Sequence, residues 1–440
     1  MTKKRLILVE LNEINFDIVK KYVESGTNLP GFEKIINDGF KETSSESEYD
    51  KLEPWIQWPS VHTGKKFNEH KIFRLGDFVN SNDEQFFEIL EKNGYKVGAI
   101  SPMNASNKLS NPAYFIPDPW TQTPSDSSFI SKALTSAISQ AVNDNSKSKL
   151  TFSTIFNLLI SIVSLINPLR IFSLFLYAIS SIKKSWKKAL FLDMLLYEFH
   201  KTLIKKNKPD FAVIFLNAGA HIQHHYFYNS PFVTNENLIN PDWYLKPDED
   251  PFLEMLFVYD KILQDIFSNK DKNTEVIIAT GLSQKPFDEL KFYYRLRDHK
   301  DFLNQLRIPY KEVFPRMTRD FLITFESDEE ARFSENILKE IYVDSEIKLF
   351  EEIDNRGNNL FVVLTYPKEI KSDTKINIFE KQNSLIDHTT FVAIKNGEHQ
   401  SKGFAYFSED IKKFAPSNGE HVSGIFNSVT DYFEVEKITN

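Results

Sequence analysis

Histidines at positions 221, 224 and 225 are the residues whose types and spacing point most directly to chemistry. In a helix, positions i, i+3 and i+4 share a face, and imidazole is a good ligand for Zn²⁺ and other borderline divalent ions. The same residues beside Tyr226, Phe227 and Tyr228 read equally as an aromatic, histidine-rich wall, and the residue types leave both readings open. A second stretch, residues 53–64, reads Glu-Pro-Trp-Ile-Gln-Trp-Pro-Ser-Val-His-Thr-Gly and holds two of the five tryptophans between fixed prolines. Proline fixes φ and the rings bring large apolar faces, so this turn-rich run is expected to hold Gln57, Ser60 and His62 rigidly as the floor of a site. Four arginines, Arg295, Arg297, Arg316 and Arg319, could clamp a phosphate or carboxylate, or pair with the many acids around them.

Positioning these residues requires an α/β scaffold. Residues 6–11, 96–100, 210–216 and 275–279 are short, continuous apolar runs bounded by polar residues, the pattern of strands buried on both faces of a parallel sheet. Glu10 interrupts the first of them near its carboxyl end, where open α/β sheets place their ligands, although a solvent-facing strand end would look the same. Asn217 ends the third. The second spills into residues 101–107, so Asn104 and Asn107 either face the same cleft or simply form turns. Helices are expected over residues 28–40, 82–93 and 189–205.

The ordered landmarks resemble the alkaline phosphatase superfamily, in particular its type I phosphodiesterase and nucleotide pyrophosphatase branch. They are a first strand ending in a carboxylate, the Leu29-Pro30 pair opening a short helix, a Pro-containing run closing in Thr63-Gly64, and a later strand followed after four residues by His221. The resemblance implies an alkaline-phosphatase-like fold with a mostly parallel central sheet flanked by helices. It also implies a metal held by Glu10, Asn217, His221 and His421, the last from the Ser-Asn-Gly-Glu-His-Val-Ser-Gly run at 417–424. Four positions depart from the pattern. Gln57 stands where a Thr or Ser nucleophile belongs, with Ser60 the nearest substitute; Asn217 stands for an aspartate; and Gly281 and Leu282 replace an Asp-His pair that would bind a second metal. A carboxamide is no nucleophile, and an amide oxygen is a weak zinc ligand. The expectation is a phosphoester or sulfoester hydrolase or transferase with at most one tightly bound divalent metal, zinc or another, or else an inactive relative that binds an anionic metabolite or glycan. Asn104, Arg316 and Arg319 are the candidate substrate contacts.

Composition bounds the remaining choices. The chain has 440 residues, a net charge of −8 and no cysteine, which excludes disulfides and thiolate metal sites and gives no general attraction for nucleic acid. The N-terminal Met-Thr-Lys-Lys-Arg leads straight into a strand rather than a signal peptide, so a cytoplasmic location is expected. The expected organisation is a core of residues 1–122, 207–315 and 371–440, a helical cap insertion over 123–206, and a small α+β subdomain over 316–370. Within the insertion, residues 151–181 are strongly apolar but broken at Asn167-Pro168, so neither half is long enough to span a bilayer. They read as a helical hairpin that caps the core or, with Lys183, Lys184, Lys187 and Lys188 just after it, as a peripheral membrane contact through 151–188.

Overall fold

The structure is a computed structural model that describes residues 3–143, 152–182, 184–233, 238–316, 318–379 and 381–435. It divides into two compact units, one comprising Met1–Thr234, Pro241–Pro286 and Gly397–Asn440, the other Asn235–Asn240 and Phe287–Asn396. Residues 144–151, within the insertion expected over 123–206, and Lys183 lie outside the described residues.

The first unit is built on a seven-stranded sheet whose strands run, in spatial order, Lys41–Ser44, Lys402–Phe407, Thr274–Ala279, Arg5–Leu11, Phe211–Leu216, Val97–Ile100 and Tyr114–Ile116. Only Lys402–Phe407 runs against the others, so the sheet is mostly parallel, and the four apolar runs expected as strands all lie in it. Alternation along the strands gives the sheet two buried faces. Ile7, Val9, Leu11, Ile214 and Ile278 pack against helices that include Phe16–Glu24, Trp186–Asn207 and Pro251–Asn269. Leu6, Leu8, Val213, Phe215 and Ile277 face Trp58, Phe86, Phe87 and Ile425 on the opposite side.

The 53–64 run is not a turn-rich floor but a helix, Pro54–Thr63, with Pro59 inside it. Pro54 opens the helix, where its missing N–H costs nothing. Pro59 would ordinarily leave the Trp55 carbonyl four residues back without a donor. Asn104 supplies one: its Nδ2 donates to the Trp55 oxygen at 2.7 Å, while its Oδ1 accepts from the Gly76 N–H at 2.8 Å. The buried Asn104 is therefore a backbone clamp. Asn104→Ala would strand both groups, and a loss of about 1–3 kcal/mol in unfolding free energy, read from urea denaturation, is expected.

The Trp186–Asn207 helix buries His200 beside Tyr114, whose hydroxyl is 3.5 Å from Nδ1, while Nε2 has no partner. Burial pushes this imidazole down to about 3. Between that value and the unfolded value near 6.5 the unfolded chain binds one proton more, so stability falls as pH falls through this window. His200→Leu is expected to lose roughly 2–3 kcal/mol less than the parent between about pH 6.5 and pH 4.5, measured as the shift in denaturation midpoint.

The second unit carries two four-stranded antiparallel sheets, with Asp320–Thr324 and Asn359–Val363 in one and Tyr342–Val343 and Lys375–Ile378 in the other. Its Asp328–Lys339 helix starts at Ser327, whose hydroxyl accepts from the Glu330 N–H. Arg316 and Arg319 belong to this unit. The Arg319 guanidinium lies over the Tyr293 ring at 4.4 Å, and Arg297 donates to the Ile386 and Thr389 carbonyls, so these two arginines are engaged by their own unit.

Candidate metal centre

Directly after the first strand, the backbone turns through Glu13 in a left-handed conformation, φ 64°. For a residue with a Cβ this costs energy and persists only where the surroundings impose it. Here the Glu13 N–H donates to the Thr280 carbonyl at 3.0 Å, and its carbonyl accepts from the Gln223 side chain at 2.8 Å and the Gln284 N–H at 3.2 Å. The turn so clamped aims the Glu13 carboxylate at two histidines. Its Oε2 lies 3.1 Å from His224 Nε2 and 3.0 Å from His399 Nε2, and the two imidazole nitrogens are 3.2 Å apart.

Each histidine reaches this point through a close approach that a glycine permits. His224 sits on the Ala218–Tyr226 helix, whose start is fixed by the buried Asp193, accepting from the Ala218 N–H at 2.8 Å and the Tyr259 hydroxyl at 2.6 Å. A Cβ on Gly219 would fall 2.0 Å from Ile14, so any other residue would push this helix off the Glu13 turn. His399 lies two residues after Gly397, where a Cβ would stand 2.2 Å from the Gln284 side chain and 2.6 Å from the Gln223 carbonyl.

Surrounding groups orient the three. Gln284 donates to Glu13 Oε2 at 2.5 Å; Asn12 donates to Glu13 Oε1 at 3.0 Å and is itself oriented by the Trp58 indole N–H at 2.8 Å. His399 Nδ1 faces the Leu52 backbone and the Glu53 carboxylate, 3.6 Å away, leaving Nε2 directed at Glu13. Burial alone would raise the Glu13 carboxyl and lower the His399 imidazole, but their mutual attraction wins. Glu13, facing His399 and His224, is held well below the usual carboxylate range, and His399 is pushed up to about 9 by Glu13 and Glu53.

Glu13, His224 and His399 are the one group among the described residues whose ligand atoms converge, all within 4.8 Å of one another. One carboxylate and two imidazoles, backed by outer hydrogen bonds, form a donor set that suits a divalent metal with open positions for water or substrate. The donors fit such an ion.

Of the histidines singled out from sequence, His224 reaches the centre; of the four residues expected to hold the metal, Glu10, Asn217, His221 and His421, none is among the converging donors. Asn217 is a single hydrogen bond removed, its Oδ1 accepting from Asn12 Nδ2 at 2.8 Å, and so stands behind Glu13. Glu10 points to the opposite face of its strand, buried under Trp58, where its Oε1 meets His62 Nε2 at 2.8 Å. Burial pushes its carboxyl up against the pull of His62. His221 meets His225 edge to face, ring centroids 5.0 Å apart, and burial with the neighbouring His224 brings it down to about 4. His421 fastens its loop to the Lys41–Ser44 edge: Ser423 flanks its Nδ1 at 3.0 Å, and Glu46 lies 3.4 Å from Nε2.

Neither candidate nucleophile is activated. Gln57 is buried and donates to the Lys51 carbonyl at 2.9 Å. Ser60 is 3.0 Å from His70 Nε2, but His70 Nδ1 accepts from the Ile72 N–H, so the neutral ring carries its proton on Nε2 and donates to Ser60. Burial, opposed by Asp83 and Glu46, brings His70 down to about 4, which keeps that neutral form. A ring in this tautomer cannot take the serine proton.

Glu13 and His399 escaped the sequence reading. The tetrapeptide Asn-Gly-Glu-His occurs twice, at 396–399 and 418–421, and only the first copy reaches the centre.

No family model matches the sequence, and no curated protein matches it. Solved structures to which the chain is similar include alkaline phosphatase from the Antarctic bacterium TAB5, at 11% identity over 99% of both chains with a TM-score of 0.43. Phosphonoacetate hydrolase from Sinorhizobium meliloti 1021 is 11% identical over 98% of this chain and 96% of its own, with a TM-score of 0.44. Human ectonucleotide pyrophosphatase / phosphodiesterase 5 is 10% identical over 99% and 96%, with a TM-score of 0.41.

Proposed function

We propose that this chain is a metal-dependent phosphoester or sulfoester hydrolase or transferase that uses one tightly bound divalent ion, zinc being the natural candidate. The observation that carries the reading is the convergence of Glu13, His224 and His399 at the carboxyl edge of a mostly parallel sheet. A bound divalent metal would supply Lewis-acid polarisation of a phosphoryl or sulfuryl oxygen.

The protein's own residues would do the rest. Gln284 and Asn12 hold the Glu13 carboxylate in one orientation, and Asn217 steadies Asn12. With Ser60 and Gln57 unable to attack, the nucleophile is water or a substrate hydroxyl. Glu53, at the start of the Pro54–Thr63 helix, partly open to solvent and 3.6 Å from His399 Nδ1, would be the base that takes the proton of the attacking water or hydroxyl. The substrate class in this reading is an anionic small molecule or glycan ester.

The same absence of an activated nucleophile favours a second reading, a non-catalytic relative that binds an anionic metabolite or glycan through the metal. Turnover of an activated aryl phosphodiester and an aryl sulfate by protein loaded with Zn²⁺, Mn²⁺ or Mg²⁺ separates the two. Turnover that disappears in Glu53→Gln while metal content stays the same supports the hydrolase; silence with every metal leaves only the binding reading.

A further inference from the structure

The Phe152–Leu165 and Pro168–Ser181 helices meet at the Asn167-Pro168 break, with Asn167 capping the second helix through the Leu169 N–H at 3.0 Å; beyond the break they do not pair with each other as a hairpin, the first packing against the Phe129–Asn143 helix and the second against the Trp186–Asn207 helix. Leu165, Ile166 and Leu174 turn inward to the core of the first unit. The outward side is the unusual one. Phe156, Leu159, Ile160 and Val163 follow the i, i+3, i+4, i+7 spacing of a helix face, and all are exposed, Val163 by 73%. Leu169, Phe172, Leu176 and Ile179 make a second exposed stripe, with Leu169 at 81%. Soluble surfaces rarely leave contiguous large apolar side chains in water without a partner.

We propose that these two helices form a peripheral membrane-docking surface whose occupant is the headgroup and acyl boundary of an anionic bilayer. Three observations select lipid. Each helix has 14 residues, about 21 Å of rise, short of the roughly 30 Å hydrocarbon core, and among the described residues no helix is long and apolar enough to cross a membrane. The two helices would lie on such a boundary rather than through it. The charge has one sign: there is no Asp or Glu between residues 145 and 192, where seven Lys and Arg occur. Lys184 and Lys187 are engaged by Glu249 and Glu254, but Lys188 remains exposed, and Arg170 keeps its guanidinium largely in solvent. Finally, the hydroxyls of the stripe turn back onto their own helices. Exposed Ser164 donates to the Ile160 carbonyl at 2.6 Å, and exposed Ser173 to the Leu169 carbonyl at 3.4 Å, so these polar groups need no water when buried in an apolar phase.

Flotation of the full chain with vesicles of phosphatidylcholine, with and without phosphatidylglycerol, tests this. The parent is expected to float with the phosphatidylglycerol vesicles and more weakly with the neutral ones. The triple variant Leu169→Ser, Phe172→Ser, Leu176→Ser is expected to lose at least about tenfold in partitioning, since each serine removes a large apolar side chain from the contact. These side chains are exposed and remote from the Glu13 centre in role, so unchanged metal content and melting temperature would show the variant folded. Failure of the parent to float with either vesicle, or equal flotation of the variant, overturns the proposal. So does self-association of the parent that the variant abolishes in sedimentation velocity while vesicles remain unbound, because a second copy would then be what covers the face.

Discussion

Glu13→Gln is expected to lower the affinity for a divalent metal by about a thousandfold, with any ester turnover falling in parallel. The substitution keeps the side chain's size but removes the carboxylate that His224 and His399 share, and a neutral amide oxygen is a poor ligand for such an ion. His399→Ala should act as severely. His421→Ala and His221→Ala should leave metal affinity within about threefold of the parent, because the donor atoms that converge include neither residue. Isothermal titration after dialysis against a chelator measures all four; equal losses at His421 and Glu13 would place the metal elsewhere.

The second large effect is in pH. His399 is raised to about 9 in the metal-free fold, against an unfolded value near 6.5. A raised imidazole contributes stability that is fully present below about pH 6.5 and is lost as pH rises through about 9, here on the order of 3 kcal/mol. Glu13 contributes in the opposite sense. Its carboxyl is held low, so its contribution is present above the unfolded carboxylate value and disappears as pH falls below it. Metal-free protein should therefore lose stability from about pH 6.5 to pH 9, and His399→Gln should flatten that slope. A metal must displace the His399 proton, so apparent affinity should rise about tenfold per pH unit between about pH 7 and pH 9, with release of one proton on binding. Flat affinity over that range would mean that His399 is not a ligand.

Strands were readable because burial on both faces leaves a continuous apolar signature that needs no partner to interpret, and residues 6–11, 210–216 and 275–279 carry it. The Pro54–Thr63 helix was not, because its internal proline is tolerated only through Asn104, 45 positions further along, a contact that no local pattern announces. Glu10 and Glu13 show the same limit at finer scale. Both flank the end of one strand, but side chains alternate across a strand, and Glu10 falls on the face shared by Leu6 and Leu8, under Trp58. Glu13 lies past the strand, on a turn whose direction depends on Thr280, Gln223 and Gln284 from distant segments. The two Asn-Gly-Glu-His copies are indistinguishable locally; what separates them is that Gly397 packs against Gln284, whereas the copy at 418–421 is tied to the Lys41–Ser44 edge. His224 was legible from its spacing alone, as a member of a histidine cluster on one helix.

Anomalous diffraction from crystals grown with Zn²⁺ and recorded at the zinc edge tests the central claim most directly. The account predicts one strong anomalous peak within bonding distance, about 2.0–2.3 Å, of the Glu13 carboxylate, His224 Nε2 and His399 Nε2. A peak bound instead by Glu10, His221 or His421, or two peaks of equal strength, would contradict it.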